Sequence, residues 1–298
     1  MSMTTMIQNS ISSLASSIHA LYNSSLYMIS LKNFLEIKTF EFENEIKYTI
    51  DSINSIEICH LSYCYSNHHQ ALRNINFKIE KGETIAIVGK NGSGKSTLLK
   101  LLCGLYCPSE GIIRINDINL SEINPASYRN AISVLFQDFL RFEGSLLENV
   151  HLGDIEKKVE KTDIKHALQS ADINFLKDHI GYQYDRFLGS WFENGSQLSG
   201  GEWQKVALAR AYYKDASLYI LDEPSSNLDI IAEMKIFENF FKRRKGKIGI
   251  FITHRMKIAK HADRIIVLNE GVVSSMGSHD HLYKHCDLYK ELLAKENE

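Results

Sequence analysis

Residues 89–97, which read GKNGSGKST, constrain the fold more than any other stretch of the chain. The apolar residues 84–88 precede them and the residues 98–102, LLKLL, follow. The pattern G-x-x-x-x-G-K-[ST] therefore lies between a predicted strand and a predicted helix. Glycines let such a loop point backbone N–H groups at phosphate oxygens, and the helix N-terminus adds positive partial charge. We predict a phosphate site here rather than an ordinary glycine-rich turn.

The side chains of this loop have separate predicted roles. Lys95 can reach the β- and γ-phosphates of a nucleotide, and the Ser96 hydroxyl can ligate Mg²⁺. The remaining phosphate-binding candidates are Gly89, Asn91, Gly92, Ser93, Gly94 and Thr97.

Composition argues against several other classes of protein. The formal net charge of −2 gives no overall attraction to nucleic acid, and no nucleic-acid partner is expected. Five cysteines form no C-x-x-C pair and no zinc spacing, so they are interpreted as reduced and structural. No apolar run approaches the roughly 20 residues that span a bilayer, and no signal peptide is evident. As it stands, the sequence is not expected to cross a membrane.

The first 36 residues differ from the rest of the chain in being rich in Ser and Asn. Their apolar residues follow a heptad-like spacing on one face of a predicted helix, namely Ile7, Ile11, Leu14, Ile18, Leu21 and Met28. This helix packs either on its own domain or on neighbouring helices that the chain does not supply, and we favour the second interpretation. Residues 37–54 are charged, lack a sustained helical stripe and are predicted to be a linker.

From Ser55 onwards, short runs of β-forming residues alternate with helical patterns. This alternation predicts an α/β fold with a mainly parallel sheet, and the strand-rich residues 55–80 predict an antiparallel β lobe beside it. A hairpin turn is predicted at residues 269–271. Helices are predicted at residues 95–104, 146–150, 164–168, 173–175, 202–213 and 230–241, and from about residue 280 to the chain end.

An acidic pair follows a predicted buried strand at residues 218–223, LYILDE. Carboxylates that emerge at the C-terminal end of a strand lie where open α/β sheets bind ligands. Asp222 is predicted to hold Mg²⁺, and Glu223 to act as the general base that polarises an attacking water. A strand that merely ends in acidic residues is the alternative, but the phosphate loop in the same chain argues against it.

Residues 198–202, LSGGE, open the next predicted helix, and here the chain resembles the nucleotide-binding domain of ATP-binding cassette (ABC) proteins. The resemblance implies a P-loop NTPase (RecA-like) core with an α-helical signature lobe. It also implies a head-to-tail homodimer with two ATP molecules at the interface. Ser199, Gly200 and Gly201 would form an anion cradle for the γ-phosphate of the ATP that a second copy holds.

The same resemblance, which covers about residues 55–297, carries over other site residues. Tyr65 matches the aromatic residue that stacks on adenine. Gln137 matches the glutamine that reaches Mg²⁺ and water and senses a transmembrane partner. Asp229 matches a loop residue at the dimer interface, and His254 matches the histidine that contacts the γ-phosphate.

Three segments resemble exporters within this family, and bacterial peptide and lantibiotic exporters in particular. They are residues 142–150, residues 191–197 with Glu193 at an acidic position, and residues 203–211. Asn194 and Glu202 depart from the residues that many exporters carry. Residues 1–36 then look like the end of a transmembrane domain. The resemblance implies a location at the cytoplasmic face of the cell membrane, with a transmembrane domain or subunit as partner.

Two other functions remain open at this point. The chain could be a soluble ABC ATPase that acts in translation or DNA repair, although such proteins usually hold two cassettes or a long coiled coil. A P-loop kinase is the other alternative, against which the residues 198–202 and His254 argue. The sequence does not indicate the transported cargo, because membrane helices choose it in this family.

Overall fold

The computed structural model describes residues 3–36, 46–66, 69–177, 181–193, 195–224, 230–243 and 246–296. The chain divides into two units, residues 1–43 and residues 44–298.

The first unit is a 33-residue helix, α1 (Met3–Leu35), none of whose described residues is buried. Serine hydroxyls bond back to carbonyls one turn earlier, as Ser10 does to Met6 and Ser30 to Leu26. Among the described residues, no helix combines the length and the hydropathy that a membrane span requires. Residues 37–45 of the predicted linker lie outside the described residues.

The second unit contains the strands and the remaining helices. Its strands are β1 (Ser55–Cys64), β2 (Gln70–Glu80), β3 (Thr84–Gly89), β4 (Glu110–Ile115), β5 (Ile118–Asn119), β6 (Ile132–Leu135), β7 (Gly144–Ser145), β8 (Phe187–Leu188), β9 (Leu218–Asp222), β10 (Ile248–Ile252), β11 (Arg264–Asn269) and β12 (Val272–Gly277). Its helices are α2 (Lys95–Leu102), α3 (Pro125–Ala131), α4 (Leu146–His151), α5 (Lys161–Ser170), α6 (Gly200–Tyr213), α7 (Ile230–Arg243), α8 (Met256–Ala259), α9 (His279–His285) and α10 (Asp287–Glu296).

The central sheet has the strand order β12-β11-β3-β10-β9-β6 within the described residues. Its neighbouring strands run parallel except for β11 and β12, which form an antiparallel hairpin. Strands β3, β9 and β10 are buried along their whole length, as expected for a parallel sheet covered on both faces. Side chains alternate between the faces: Ile85 and Ile87 enter one core cluster, and Ala86 and Val88 the other. The predicted α/β class with a mainly parallel sheet is confirmed.

The predicted antiparallel lobe is the sheet β2-β1-β4-β5. Strand β1 contains two runs of β-forming residues, 56–58 and 61–64, that do not follow one continuous alternation pattern. The register shifts between Ile58 and Leu61, and His60 between them has a φ of 50°. A bulge therefore absorbs the break in the alternation pattern.

Residues 46–54, which are predicted to belong to the linker, lie within the second unit and contact its other elements. The Lys47 N–H donates to the carbonyl of Glu122 at 2.9 Å, and Tyr48 forms a bridge with Ile123. Ile53 is 1% exposed and belongs to the core cluster beneath the antiparallel lobe. This contribution was not visible in the sequence, because two buried isoleucines, Ile50 and Ile53, make no sustained periodic pattern.

Helices α4, α5 and α6 pack together beside the two-stranded antiparallel sheet of β7 and β8 and form a helical lobe. Their buried residues include Val150, Ile164 and Leu168. The predicted helix at residues 173–175 is wrong. Helix α5 ends at Ser170, and Asp172 has a φ of 54°, which helical backbone does not allow.

The single helix predicted from about residue 280 is also wrong, because two helices occupy that stretch. Ser278 caps α9 by accepting a bond from the N–H of His281. Cys286 then adopts an extended conformation, with a φ of −123° and a ψ of 106°, before α10 begins. Its thiol is buried, so the chain bends at a side chain that packs into the core.

The hairpin between β11 and β12 turns at Glu270 and Gly271, both of which have positive φ. The predicted turn at residues 269–271 is therefore confirmed. The N–H of Gly271 donates to the carbonyl of Ser93 at 3.2 Å, and its carbonyl accepts a bond from Arg73 at 2.7 Å. This turn thus joins the glycine-rich loop to strand β2.

Candidate nucleotide-binding site

The glycine-rich loop leaves the C-terminal end of β3 and enters α2. Gly94 precedes that helix with a φ of 100°, and a Cβ there would lie 2.7 Å from the carbonyl oxygen of Ala71. A Cβ at Gly89 would lie 2.2 Å from the carbonyl oxygen of Leu268. Both positions therefore require glycine, and the backbone of the loop is fixed by close contacts on both sides.

Lys95 is curled into this loop. Its Nζ donates to the carbonyl oxygens of Gly89 and Lys90, each at 3.0 Å. The residue is 6% exposed, and burial lowers the pKa of its ammonium group although Glu223 and Asp222 act in the opposite direction. A cation held by neutral carbonyl groups in a poorly hydrated position attracts an anionic ligand strongly.

An open cleft of about 600 Å³ lies above the loop. The predicted site residues that line it are Tyr65, Asn91, Gly92, Gly94, Lys95, Ser96, Thr97, Gln137, Glu223 and His254. These residues come from the antiparallel lobe, the loop and the C-terminal ends of the central strands. Gly89 and Ser93 belong to the loop but are not among the described residues that line the cleft.

Glu223 lies at the centre of the polar groups in the cleft. Gln137 Nε2 donates to Glu223 Oε2 at 3.1 Å, and His254 Nε2 lies 2.8 Å from Glu223 Oε1. The backbone of Glu223 is in the left-handed region, with a φ of 48°. The structure therefore brings three predicted site residues from different segments into direct contact.

Asp222, at the end of β9, is 5% exposed. Its Oδ1 is buried and has no hydrogen-bond partner among the described residues. Burial, reinforced by the charge of Glu223, raises the pKa of this carboxyl to about 6, although Ser96 hydrogen-bonds to it. A buried acidic oxygen without a donor is costly unless a cation or a proton joins it.

Tyr65 stands at the edge of the cleft and is half-buried. Its hydroxyl is 3.0 Å from Thr97 Oγ1. Its ring makes edge contacts with Tyr63 and Tyr106, whose rings stack with a centroid distance of 5.2 Å. The aromatic position is therefore held by two other rings and by the helix that follows the loop.

The residues 199–201 lie at the start of α6 and are not among the described residues that line the cleft. Ser199 caps the helix: its Oγ accepts a bond from the N–H of Glu202, and Glu202 Oε2 accepts one from the N–H of Ser199. This reciprocal capping box explains locally why glutamate is compatible with position 202. Asp229 and Asn194 lie outside the described residues.

Sequence reasoning missed two residues that contact this site. His69 lines the cleft. Gln204, on α6, is 1% exposed and donates from Nε2 to the carbonyl oxygen of Glu223 at 3.1 Å. The sequence offered one signal for Gln204: a polar amide side chain occupies a position of α6 whose neighbours are mostly apolar.

The loop, the sheet and the acidic pair define a P-loop nucleoside triphosphatase. Strand β10 lies between β3, which carries the loop, and β9, which carries the acidic pair. A family model described as ABC transporter matches residues 72–226, which is more than half of the chain. The chain belongs to the ABC transporter family, whose ATP-binding domains bind and hydrolyse ATP.

Similar proteins include the subtilin transport ATP-binding protein SpaT of Bacillus subtilis, 49% identical over 293 residues, and the nisin transport ATP-binding protein NisT of Lactococcus lactis subsp. lactis, 43% identical over 295 residues. Each match covers 98% of this chain and 48% of the relative, so the chain spans about half the length of these relatives.

The solved structure of a bacterial Atm1-family ABC exporter with ATP bound matches with a TM-score of 0.81 and 27% identity. That match covers 92% of this chain and 47% of the other. These comparisons favour the predicted exporter branch over a soluble ABC ATPase of translation or DNA repair, and over a kinase.

Proposed function

We propose that this chain binds and hydrolyses ATP to power the export of a peptide, of the lantibiotic kind, by an ABC transporter. One observation supports the proposal most strongly: a buried lysine and the Glu223–His254–Gln137 group line one cleft, and Ser96 in the same lining hydrogen-bonds to the buried carboxyl of Asp222. The relatives named for subtilin and nisin transport support the peptide as cargo.

In this proposal the loop residues and Lys95 hold the β- and γ-phosphates. Tyr65 stacks on the adenine from the edge of the cleft. Glu223 accepts a proton from the attacking water, and His254 and Gln137 orient its carboxylate and contact the γ-phosphate and the water. The contacts at 2.8 Å and 3.1 Å fix both oxygens of that carboxylate before substrate arrives.

The residues present fit Mg²⁺. Asp222 Oδ1 is buried and lacks a partner among the described residues, and the Ser96 hydroxyl bonds to the same carboxylate. No group of three or more His, Cys, Asp or Glu side chains suited to a metal occurs in the described ranges. A cation bound by Ser96, Gln137 and Asp222 would therefore take further ligands from phosphate oxygens and water, as Mg²⁺ commonly does. When bound, it would neutralise developing charge on the phosphates.

We propose that two copies of the chain bind head to tail. Ser199, Gly200 and Gly201 of one copy would then close on the γ-phosphate held by the other, with Asp229 at the interface. The capped N-terminus of α6 supports this, because residues 199–201 are not among the described residues that line the cleft of their own copy and a helix N-terminus attracts anions.

The membrane partner is part of the proposal. The β-(1→2)glucan export ATP-binding/permease protein NdvA of Agrobacterium vitis is 34% identical over 227 residues and is named for both functions. We propose that the chain acts at the cytoplasmic face of the membrane, coupled to a transmembrane domain or subunit, and that residues 1–36 belong to that domain.

The test has two parts. The purified chain should hydrolyse ATP in Mg²⁺ and stop in EDTA, and absence of Mg²⁺-dependent turnover would refute the enzymatic proposal. The tagged chain, expressed in a lantibiotic-producing bacterium, should co-purify with membranes. Recovery with ribosomes or DNA would refute the transport proposal and favour the soluble alternative.

A further inference from the structure

Residues 198–202 are called the signature turn here, and α6, which begins there, the signature helix. This helix also contacts the backbone of the proposed general base in the same copy. Gln204 lies on α6, five residues after Ser199, which is about 7 Å along the helix axis. Its side chain is buried, and Nε2 donates to the carbonyl oxygen of Glu223 at 3.1 Å. One side chain therefore connects the helix to the residue that carries the carboxylate.

The backbone of Glu223 depends on such support. Its φ of 48° is in the left-handed region, which a non-glycine residue occupies only when surrounding contacts hold it there. The N–H of Glu223 donates to the carbonyl of Ile252 at 3.1 Å, and the carbonyl of Glu223 accepts from Gln204. One bond thus comes from the central sheet and the other from the signature helix.

The surroundings of Gln204 make this connection stiff. Its helical neighbours Trp203, Val206 and Ala207 are buried in the core cluster that also contains residues of β9 and β10. A displacement of the N-terminus of α6 therefore moves Gln204 as part of a packed helix rather than by rotation of a free side chain.

We propose that Gln204 is a positioning residue that couples the signature helix to Glu223. The proposal rests on the function proposed above. A phosphate that binds at Ser199 in one copy shifts α6 of that copy, and Gln204 transmits the shift to the Glu223 peptide of the same copy. The state of one ATP site thereby sets the orientation of the carboxylate at the other.

Loss of the Gln204 side-chain donor should affect ATP binding and ATP hydrolysis differently. Gln204 is not among the described residues that line the nucleotide cleft, so ATP affinity should depend on it little. The carboxylate must be aligned with the attacking water, so the hydrolytic step should depend on it. Loss of the Gln204 donor should lower kcat and leave KM almost unchanged.

The test variant is Gln204→Met, which keeps the length and volume of the side chain and removes the donor. Its matched control is Ser133→Ala, because Ser133 is also buried and its Oγ donates to the carbonyl of Ala211 at the other end of α6, at 2.6 Å. Gln204→Met should lower kcat by about tenfold or more, with KM and ATP affinity within about twofold of wild type. Ser133→Ala should retain the wild-type kcat.

A kcat for Gln204→Met within about twofold of wild type would overturn the inference, as would equal losses of kcat in the two variants. The double variant Gln204→Met with Glu223→Gln adds a readout that a structural role would not move. Its single-turnover rate should equal that of Glu223→Gln alone, because the effect of Gln204 passes through the carboxylate. A further loss would count against the inference.

The two proposals fail in different ways. A wild-type chain without Mg²⁺-dependent ATP hydrolysis would refute the proposed function itself. A wild-type chain that hydrolyses ATP, together with a folded and fully active Gln204→Met variant, would refute the coupling alone. Thermal unfolding of each variant establishes that it is folded before its rate is compared.

Discussion

The phosphate loop and the signature turn are both glycine-rich segments at helix N-termini, yet the chain builds them differently. The loop is enclosed: Lys95 bonds to two of its carbonyls, and Gly271 bonds to the carbonyl of Ser93. The signature turn is exposed at Ser199, and its side-chain bonds are those of its own capping box. Glycines at a helix N-terminus thus form an enclosed ligand site in one case and a solvent-exposed site in the other.

An anion site within a single copy therefore needs more than backbone N–H groups at a helix N-terminus. The loop has a buried cation and a buried acid beside it, whereas the signature turn has neither among the contacts described. We therefore expect substitutions in the loop to act on the ATP site of their own copy, and substitutions at residues 199–201 to act first on the ATP site of a partner copy.

The largest effect is expected for Glu223→Gln. Loss of the proposed base should lower kcat by about 100-fold to 1,000-fold, while Gln137 and His254 still face an uncharged side chain of the same shape. ATP should remain bound, so size-exclusion chromatography should show a nucleotide-loaded dimer. Normal turnover would remove Glu223 from the catalytic role.

Lys95→Ala should abolish measurable nucleotide binding and so act entirely on the loop side. The ammonium group is buried and desolvated, so its interaction with phosphate is stronger than at a surface. Fluorescent ATP titration should give an affinity at least about 100-fold weaker than wild type. Undiminished binding would contradict the assignment of the cleft.

A mixing experiment separates the two sides directly. Ser199→Arg should block the outward cradle, and this variant alone and Lys95→Ala alone should both be inactive. In a mixed dimer, one site receives both defects and the other receives neither. An equal mixture should therefore regain up to about a quarter of the wild-type rate, and any shortfall measures how far Glu223 of the Ser199→Arg copy depends on phosphate at its own residues 199–201. No recovery in a mixture shown to contain mixed dimers would contradict the composite site.

The smallest effect on turnover is expected for a substitution at Asp172, where the signature helix meets the rest of the helical lobe. Asp172 pairs with Lys235 at 2.5 Å and with Lys205 of α6 at 3.1 Å. Burial alone would raise the pKa of Asp172, but these lysines hold it below its ordinary value of 3.8. The contribution to stability is therefore present above pH 3.8 and is lost as the pH falls through the lower folded-state pKa.

Asp172→Asn should thus lower the free energy of unfolding near neutral pH by about 1–2 kcal/mol. The difference from wild type should shrink as the solution is acidified, and urea titrations at several pH values measure it. Turnover at 25 °C should change little. A difference between the two proteins that stays constant down to pH 2 would contradict the ion-pair explanation.

The sequence predicted the class of fold because several local signals agreed. Apolar strands with buried side chains on both faces, the glycine loop and the acidic pair each pointed to the same parallel sheet. Residues 173–175 and the chain after Asp280 were predicted wrongly, because apolar periodicity does not detect a left-handed Asp172 or a buried Cys286 that interrupts a helix. A helix end that depends on one residue is determined by tertiary contacts, which the local sequence pattern does not contain.

The predicted site residues came from motif spacing and from the resemblance to ABC proteins, but their mutual contacts did not. The bond between Gln137 and Glu223 joins residues 86 positions apart, and a sequence gives no distance between them. Gln204 was missed because a glutamine within a helix is ordinary; only its position beneath Glu223 gives it significance. The roles of these residues in catalysis stay predictions that the variants above test.

The turn at Gly271 has a consequence for observation of the protein at work. Its amide hydrogen is held by Ser93, yet it lies about 180 positions further along the chain, in a hairpin outside the nucleotide cleft. Hydrogen–deuterium exchange at this amide requires the bond to Ser93 to open. Ligands that order residues 89–97 will slow that exchange. The exchange rate of the Gly271 amide therefore reports occupancy of the loop without an attached probe.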